Sequence, residues 1–182
     1  MTNQDLLMED LMAYETLSLD VADGIAHLQF IRGAEFNTMN KAFWPEMVRV
    51  FDEIDNDPAA RVVVLSAQGK HFTSGLDLNE FGGGLMGTAG EPARKAEAMR
   101  RSVLDMQQSM SVLDRCRLPV LAAIQGACIG GGMDLISACD MRYCAADAFF
   151  SIQETNIGLT ADVGTLQRLP HILPHGIVRE LT

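Results

Sequence analysis

The stretch that decides the fold is Pro119-Val120-Leu121-Ala122-Ala123-Ile124-Gln125-Gly126, continued through Gly130-Gly131-Gly132 to Met133-Asp134-Leu135. Residues 119–124 are too apolar for a solvent-facing strand and predict a buried one. Glycines from Gly126 to Gly132 predict a turn at its end, and Met133–Ala138 a short helix beyond it. Strand, tight turn and helix in that order is the unit of an α/β fold with crossover connections.

Working outward, Val62-Val63-Val64-Leu65 predicts a second buried, parallel strand, again followed by a glycine turn at Gly75. Two strand-like runs, Thr16–Val21 and Ile25–Ile31, flank Asp23-Gly24, a hairpin signal. Phe43, Met47, Val50, Phe51 and Ile54 recur at helical spacing over residues 41–54. Pro92 opens a long helix reaching about Arg117. Met141–Cys144 and Phe149–Ile152 predict short strands, and Gly164–Leu169 and Gly176–Leu181 predict helices. Residues 1–13 form an acidic lead-in, and residues 14–182 one core domain. The chain stops inside a predicted helix with no stop signal, so a C-terminal part is expected to be missing.

Composition narrows the function. The 182 residues carry 14 Lys and Arg against 24 Asp and Glu, a formal charge of −10. That balance argues against nucleic acid, which needs a basic surface. Residues 1–31 hold six acids and no Lys or Arg, so neither a secretory nor a mitochondrial leader is expected. The charge-free stretch between Arg117 and Asp134 is broken by proline, glutamine and glycines, so no membrane span is expected. Cys116, Cys128, Cys139 and Cys144 form no CxxC pair and predict buried, reduced thiols of a cytoplasmic protein.

Three glycine turns invite a functional reading. Gly82, Gly84 and Gly87 satisfy GxGxxG but lack the preceding strand a dinucleotide site needs, and read as a surface loop. Gly75 and the Gly130–Gly132 run each follow a predicted strand. Each leaves backbone N–H groups free, and two such groups aimed at one carbonyl oxygen would make an oxyanion hole. Asp134, Glu154 and Asp162 sit in apolar or glycine-flanked settings. Asp134 and Asp162 could simply cap helices; clustered in a dry pocket, the three could move protons. No metal spacing such as HExxH and no GxSxG elbow is present. Lys70 and His71 read as polar rim residues.

Two segments carry a family resemblance: Val62–Ala67 through His71–Leu78, and Pro119–Gly126 through Gly130–Leu135. On these, the chain resembles the crotonase superfamily of enoyl-CoA hydratases and isomerases. The resemblance runs from about residue 14 to the end. It implies a ββα superhelical (spiral) core, C-terminally truncated, without the C-terminal helices that cover the acyl pocket and build trimers and hexamers. Within the superfamily, residues 137–144 and 162–170 resemble the Δ3,5-Δ2,4-dienoyl-CoA isomerases. That likeness implies catalytic roles for Asp134, Glu154 and Asp162, with an oxyanion hole from the N–H groups of Leu76 and Gly131. It also implies an acyl end lined by Ser74, Gly75, Leu76, Asp77, Leu78 and Gly131. Arg32 falls near where the family meets the CoA nucleotide, suggesting a phosphate contact. No cofactor is implied beyond the coenzyme A of the substrate. Hydratases usually carry Glu at the position of Asp134 and Gly at that of Asp162. A hydratase, or a non-catalytic CoA-ester-binding or assembly subunit, is the alternative.

Overall fold

The computed structural model describes residues 14–81 and 91–182. The acidic lead-in over 1–13 and the Gly82–Gly87 motif lie outside the described residues. Strands β1 (Leu17–Ala22) and β2 (Ile25–Phe30) form the expected hairpin. Its Asp23 and Gly24 have φ of 53° and 84°, the left-handed pair that a two-residue turn demands. Helix α1 (Phe43–Asn56) starts two residues later than its periodicity predicts. Asn40 Oδ1 accepts the Ala42 and Phe43 N–H groups at 3.1 Å each and so fixes the start. Strand β3 (Val62–Ala67) follows. After a short α2 (Leu78–Phe81), α3 runs Pro92–Arg115, with Glu91 capping Ala93 and Arg94.

Strand β4 (Val120–Ile124) lies between β3 and β6 (Met141–Cys144), parallel to both, giving the order β1-β2-β3-β4-β6. One face of this sheet is closed. Val63, Leu65, Val120 and Ala122 are fully buried in one core with Met47, Val50 and Phe51 of α1 and Met110 and Leu113 of α3. Val62, Val64 and Leu121 are only half-buried, so β3 and β4 are covered on one side, against the expectation of strands buried on both.

The predicted turn over 126–132 contains a strand, β5 (Ala127–Ile129), which pairs in parallel with β7 (Phe149–Ser151) in a second sheet. Helix α4 (Gly131–Ala138) begins two residues before its predicted start. The helix predicted over 164–169 is α5 (Thr165–Arg168) followed by a 3-10 turn at Leu169–His171, because Pro170 has no N–H to continue the ladder. The last helix, α6, spans His175–Glu180. Of the four cysteines, Cys128 and Cys139 are buried as expected; Cys116 is half-buried and Cys144 exposed, so that expectation fails for two. Among the described residues, no helix is long and apolar enough to cross a membrane.

Candidate active site

The two glycine turns meet. Segment 71–75 runs beside β5: Thr73 N–H donates to Ala127 O and Ile129 N–H to Thr73 O, each at 3.1 Å. On its other side the same segment meets residues 36–39. Met39 N–H donates to Gly75 O at 2.8 Å, and Asp77 N–H to Met39 O at 3.1 Å. In such a parallel bridge both polar groups of Met39 point at the 75–77 segment. The N–H of Leu76 therefore points the other way, towards the β5–α4 turn. Gly131 is the first residue of α4, so its N–H lacks an intrahelical acceptor.

Glycine is required where these turns touch. Gly75 has φ +82°, and a Cβ there would stand 2.8 Å from Ile129 O and 3.3 Å from Gly131 N. A Cβ on Gly131 would stand 2.8 Å from Met39 Sδ. Gly75→Ala is expected to cost about 1–3 kcal/mol from backbone strain alone, and more from the contact with a main-chain carbonyl. Urea denaturation measures it, and an unchanged midpoint would contradict the packing described.

Glu154 reaches the same place through the second sheet. Ile129 pairs with Ser151 in register, and Gly130 N–H donates to Ser151 O at 2.9 Å. Three residues on, Glu154 Oε1 lies 3.2 Å from where a Gly130 Cβ would be. Its Oε2 is buried without a hydrogen-bond partner. Burial pushes the Glu154 carboxyl above its ordinary value; a backbone hydrogen bond opposes this, and the charge of Asp162 adds to it.

Asp134, in α4, is 1% exposed. It caps α5, thirty-one residues away, rather than its own helix. Its Oδ1 accepts both the N–H and the hydroxyl of Thr165 at 2.7 Å, while Oδ2 is buried and unpartnered. Burial pushes its carboxyl up to about 6, with the charges of Glu154 and Asp162 adding and the Thr165 bonds opposing. Because Asp134 takes the cap of α5, Asp162 does not serve as one: the residue before α5, Gly164, makes no side-chain cap. Asp162 is exposed, and its carbonyl is tied to α3 by Gln107 Nε2 at 2.7 Å.

All three acids line one cavity of about 270 Å³. Ser74, Gly75, Leu76, Leu78, Gly130 and Gly131 form one wall, and Trp44, Met99, Met106, Ile157, Leu159 and Val163 supply apolar surface. Asp77 is the exception among the expected lining residues: it is turned out of the cavity, and its carboxylate accepts from Thr38 Oγ1 at 2.9 Å and Asn79 N–H at 3.1 Å. Nor is His71 a rim residue. Its Nδ1 accepts Ala127 N–H at 3.0 Å and its ring packs on Phe36, so it clasps the two turns together. Thr165 and the apolar wall from α1 and α3 are absent from the sequence reading; nothing local in the sequence marks them, since their roles come from contacts distant along the chain.

Leu76, Gly131 and the three carboxylates thus meet at one cavity. Residues 20–182 match the family model "Enoyl-CoA hydratase/isomerase". The chain is 47% identical over 172 residues to the mitochondrial Δ(3,5)-Δ(2,4)-dienoyl-CoA isomerase of Mus musculus, covering 93% of this chain and 53% of that protein. It is 40% identical to the peroxisomal Δ(3,5)-Δ(2,4)-dienoyl-CoA isomerase of Arabidopsis thaliana, covering 97% of this chain and 64% of that one. A solved structure from Thermobifida fusca YX, assigned as an enoyl-CoA hydratase and holding acetoacetyl-CoA, superposes with a TM-score of 0.80. It is 27% identical, with 94% of this chain and 67% of that chain covered. The chain thus spans between half and two thirds of the length of the two isomerases. Their compartments, mitochondrial and peroxisomal, overturn the expectation of a cytoplasmic protein drawn from the cysteines and from the lack of a leader pattern in residues 1–31. The crotonase-like α/β core and the match over residues 20–182 place this chain in the enoyl-CoA hydratase/isomerase family.

Proposed function

We propose that this chain carries the site of an acyl-CoA isomerase that converts a 3,5-dienoyl-CoA to the 2,4-dienoyl-CoA. The observation that carries the reading is the convergence of Leu76, Gly131, Glu154 and Asp162 on one small, largely apolar cavity. The thioester oxygen accepts hydrogen bonds from the N–H groups of Leu76 and Gly131. Negative charge developing on that oxygen is stabilised there, which makes a proton on the adjacent carbon removable. Glu154, whose raised affinity for protons suits a base, takes that proton. The electron pair spreads through the conjugated system as an extended enolate. Asp162 delivers a proton to the far end, the double bonds settle next to the thioester, and the two carboxyls exchange the proton with solvent to reset. Asp134, buried in α4 and in charge interaction with both Glu154 and Asp162, tunes Glu154. No electrons are gained or lost overall, so the proton transfers require no redox cofactor, and coenzyme A enters as part of the substrate. The same reading takes the working form as a homotrimer or hexamer, supported by the exposed apolar residues Phe36, Tyr143, Phe149, Leu166 and Ile177 outside the cavity.

The test is the growth of diene–thioester absorbance from a 3,5-dienoyl-CoA. It is run on the 182-residue chain and on a form extended to the family's length. Turnover supports the isomerase. Hydration of a 2-enoyl-CoA without diene turnover moves the function to a hydratase using Asp134 and Glu154. Binding of a CoA ester with neither activity leaves a non-catalytic binding subunit.

A further inference from the structure

Arg32 follows β2 and, on the family resemblance, is expected to meet a phosphate. The structure gives its guanidinium other partners. Nη1 donates to Thr38 O at 2.6 Å and approaches Thr38 Oγ1 at 3.3 Å. Nη2 reaches Asp77 Oδ2 at 3.5 Å. The two side chains are only 19% and 10% exposed. Thr38 Oγ1 closes the triangle by donating to the same Asp77 oxygen at 2.9 Å. Arg32, Thr38 and Asp77 therefore form one closed polar cluster outside the cavity.

Its position along the chain gives the cluster a consequence. Asp77 directly follows Leu76, the residue whose N–H faces the cavity. Main-chain bonds from Met39 N–H to Gly75 O and from Asp77 N–H to Met39 O bracket Leu76 on one edge. The Asp77 carboxylate then anchors the next peptide, accepting Asn79 N–H through Oδ1 while Oδ2 holds Thr38 and Arg32. Burial would raise the Asp77 carboxyl, but hydrogen bonds from Thr38, the Asn79 and Glu80 backbone and Arg32 outweigh it and hold it below its ordinary value. The carboxylate is thus kept charged where it can grip. An oxyanion donor works only when held at the place the developing charge will occupy.

We propose that Arg32 and Asp77, linked through Thr38, are positioning residues that set the Leu76 N–H for the enolate oxygen of the bound thioester. This rests on the acyl-CoA reading of the cavity. It separates Arg32 from substrate affinity, because a residue that orients a donor matters more to the enolate than to the ground-state ester.

The experiment compares two ligands on the full chain: acetoacetyl-CoA, whose bound enolate has its own ultraviolet band, and butyryl-CoA, which cannot form a comparable enolate. Arg32→Gln and Asp77→Asn are each expected to weaken acetoacetyl-CoA and its enolate band about tenfold or more, with butyryl-CoA affinity within about twofold of the unchanged chain. The double variant is expected to lose no more than the larger single loss, as for residues acting as a unit. Thr38→Val tests the link with a near-isosteric change, and Thr38→Ser should restore the band. Thr38→Val keeps the inference testable if the charge variants do not fold. Equal losses for both ligands would make Arg32 a CoA contact or a purely structural group and overturn the inference. So would an unchanged enolate band. If the unchanged chain binds neither ligand, the acyl-CoA reading itself fails.

Discussion

Glu154→Gln is expected to lower the turnover of a 3,5-dienoyl-CoA by about 10²–10⁴-fold while leaving the chain folded. Glutamine keeps the shape of the side chain beside Gly130 but cannot take a proton. Asp162→Asn is expected to do the same from the other end of the conjugated system. It is the cleaner variant, since Asp162 is exposed and caps no helix. Initial rates, set against the affinity for a saturated thioester, separate the lost proton transfer from lost binding. Full activity in Asp162→Asn would remove the assignment of that residue. Full activity in Glu154→Gln would remove the mechanism.

Asp134→Asn is expected to raise stability at neutral pH and to lower activity. The folded chain holds the Asp134 carboxyl at about 6 against an ordinary 3.8, chiefly because the group is buried. Between those values the folded chain keeps a proton that the unfolded chain has released. Stability therefore falls as pH rises through that window, and the whole cost, about 3 kcal/mol, is present above it. Asparagine removes the charge and can still accept from Thr165 through its own Oδ1. The gain should approach that figure at about pH 8 and fade towards about pH 4. Urea midpoints of the two proteins at both pH values measure it. A variant equally destabilised at both would mean that Asp134 is paired more favourably than its partnerless Oδ2 suggests.

The parts of this molecule legible in its sequence are those fixed by neighbours in the chain. Asp23-Gly24 announces its hairpin because the turn's backbone is a property of those two residues. Phe43, Met47, Val50 and Ile54 announce α1 because helical period is local, whereas its start depends on the Asn40 side chain. Strand β5 was hidden inside a glycine run, since Ala127–Ile129 is strand only through its pairing with Phe149–Ser151. The candidate site divides the same way. Gly75 and Gly131 stand out as turns, and the family resemblance singles out the three acids. That Asp134 caps α5 through Thr165, that Asp77 turns away from the cavity and that Arg32 grips it are long-range facts. Two of these bonds join residues thirty-one and thirty-nine positions apart, distances over which no sequence pattern carries information.

The most direct test of the central claim is the mass of the product formed from a 3,5-dienoyl-CoA in heavy water. Proton removal beside the thioester and redelivery at the far carbon predict a product of the substrate's composition. It should gain deuterium only at exchangeable and reprotonated carbons, and no oxygen. A product heavier by one water, or an isomerised product with no deuterium at the far carbon, would contradict it.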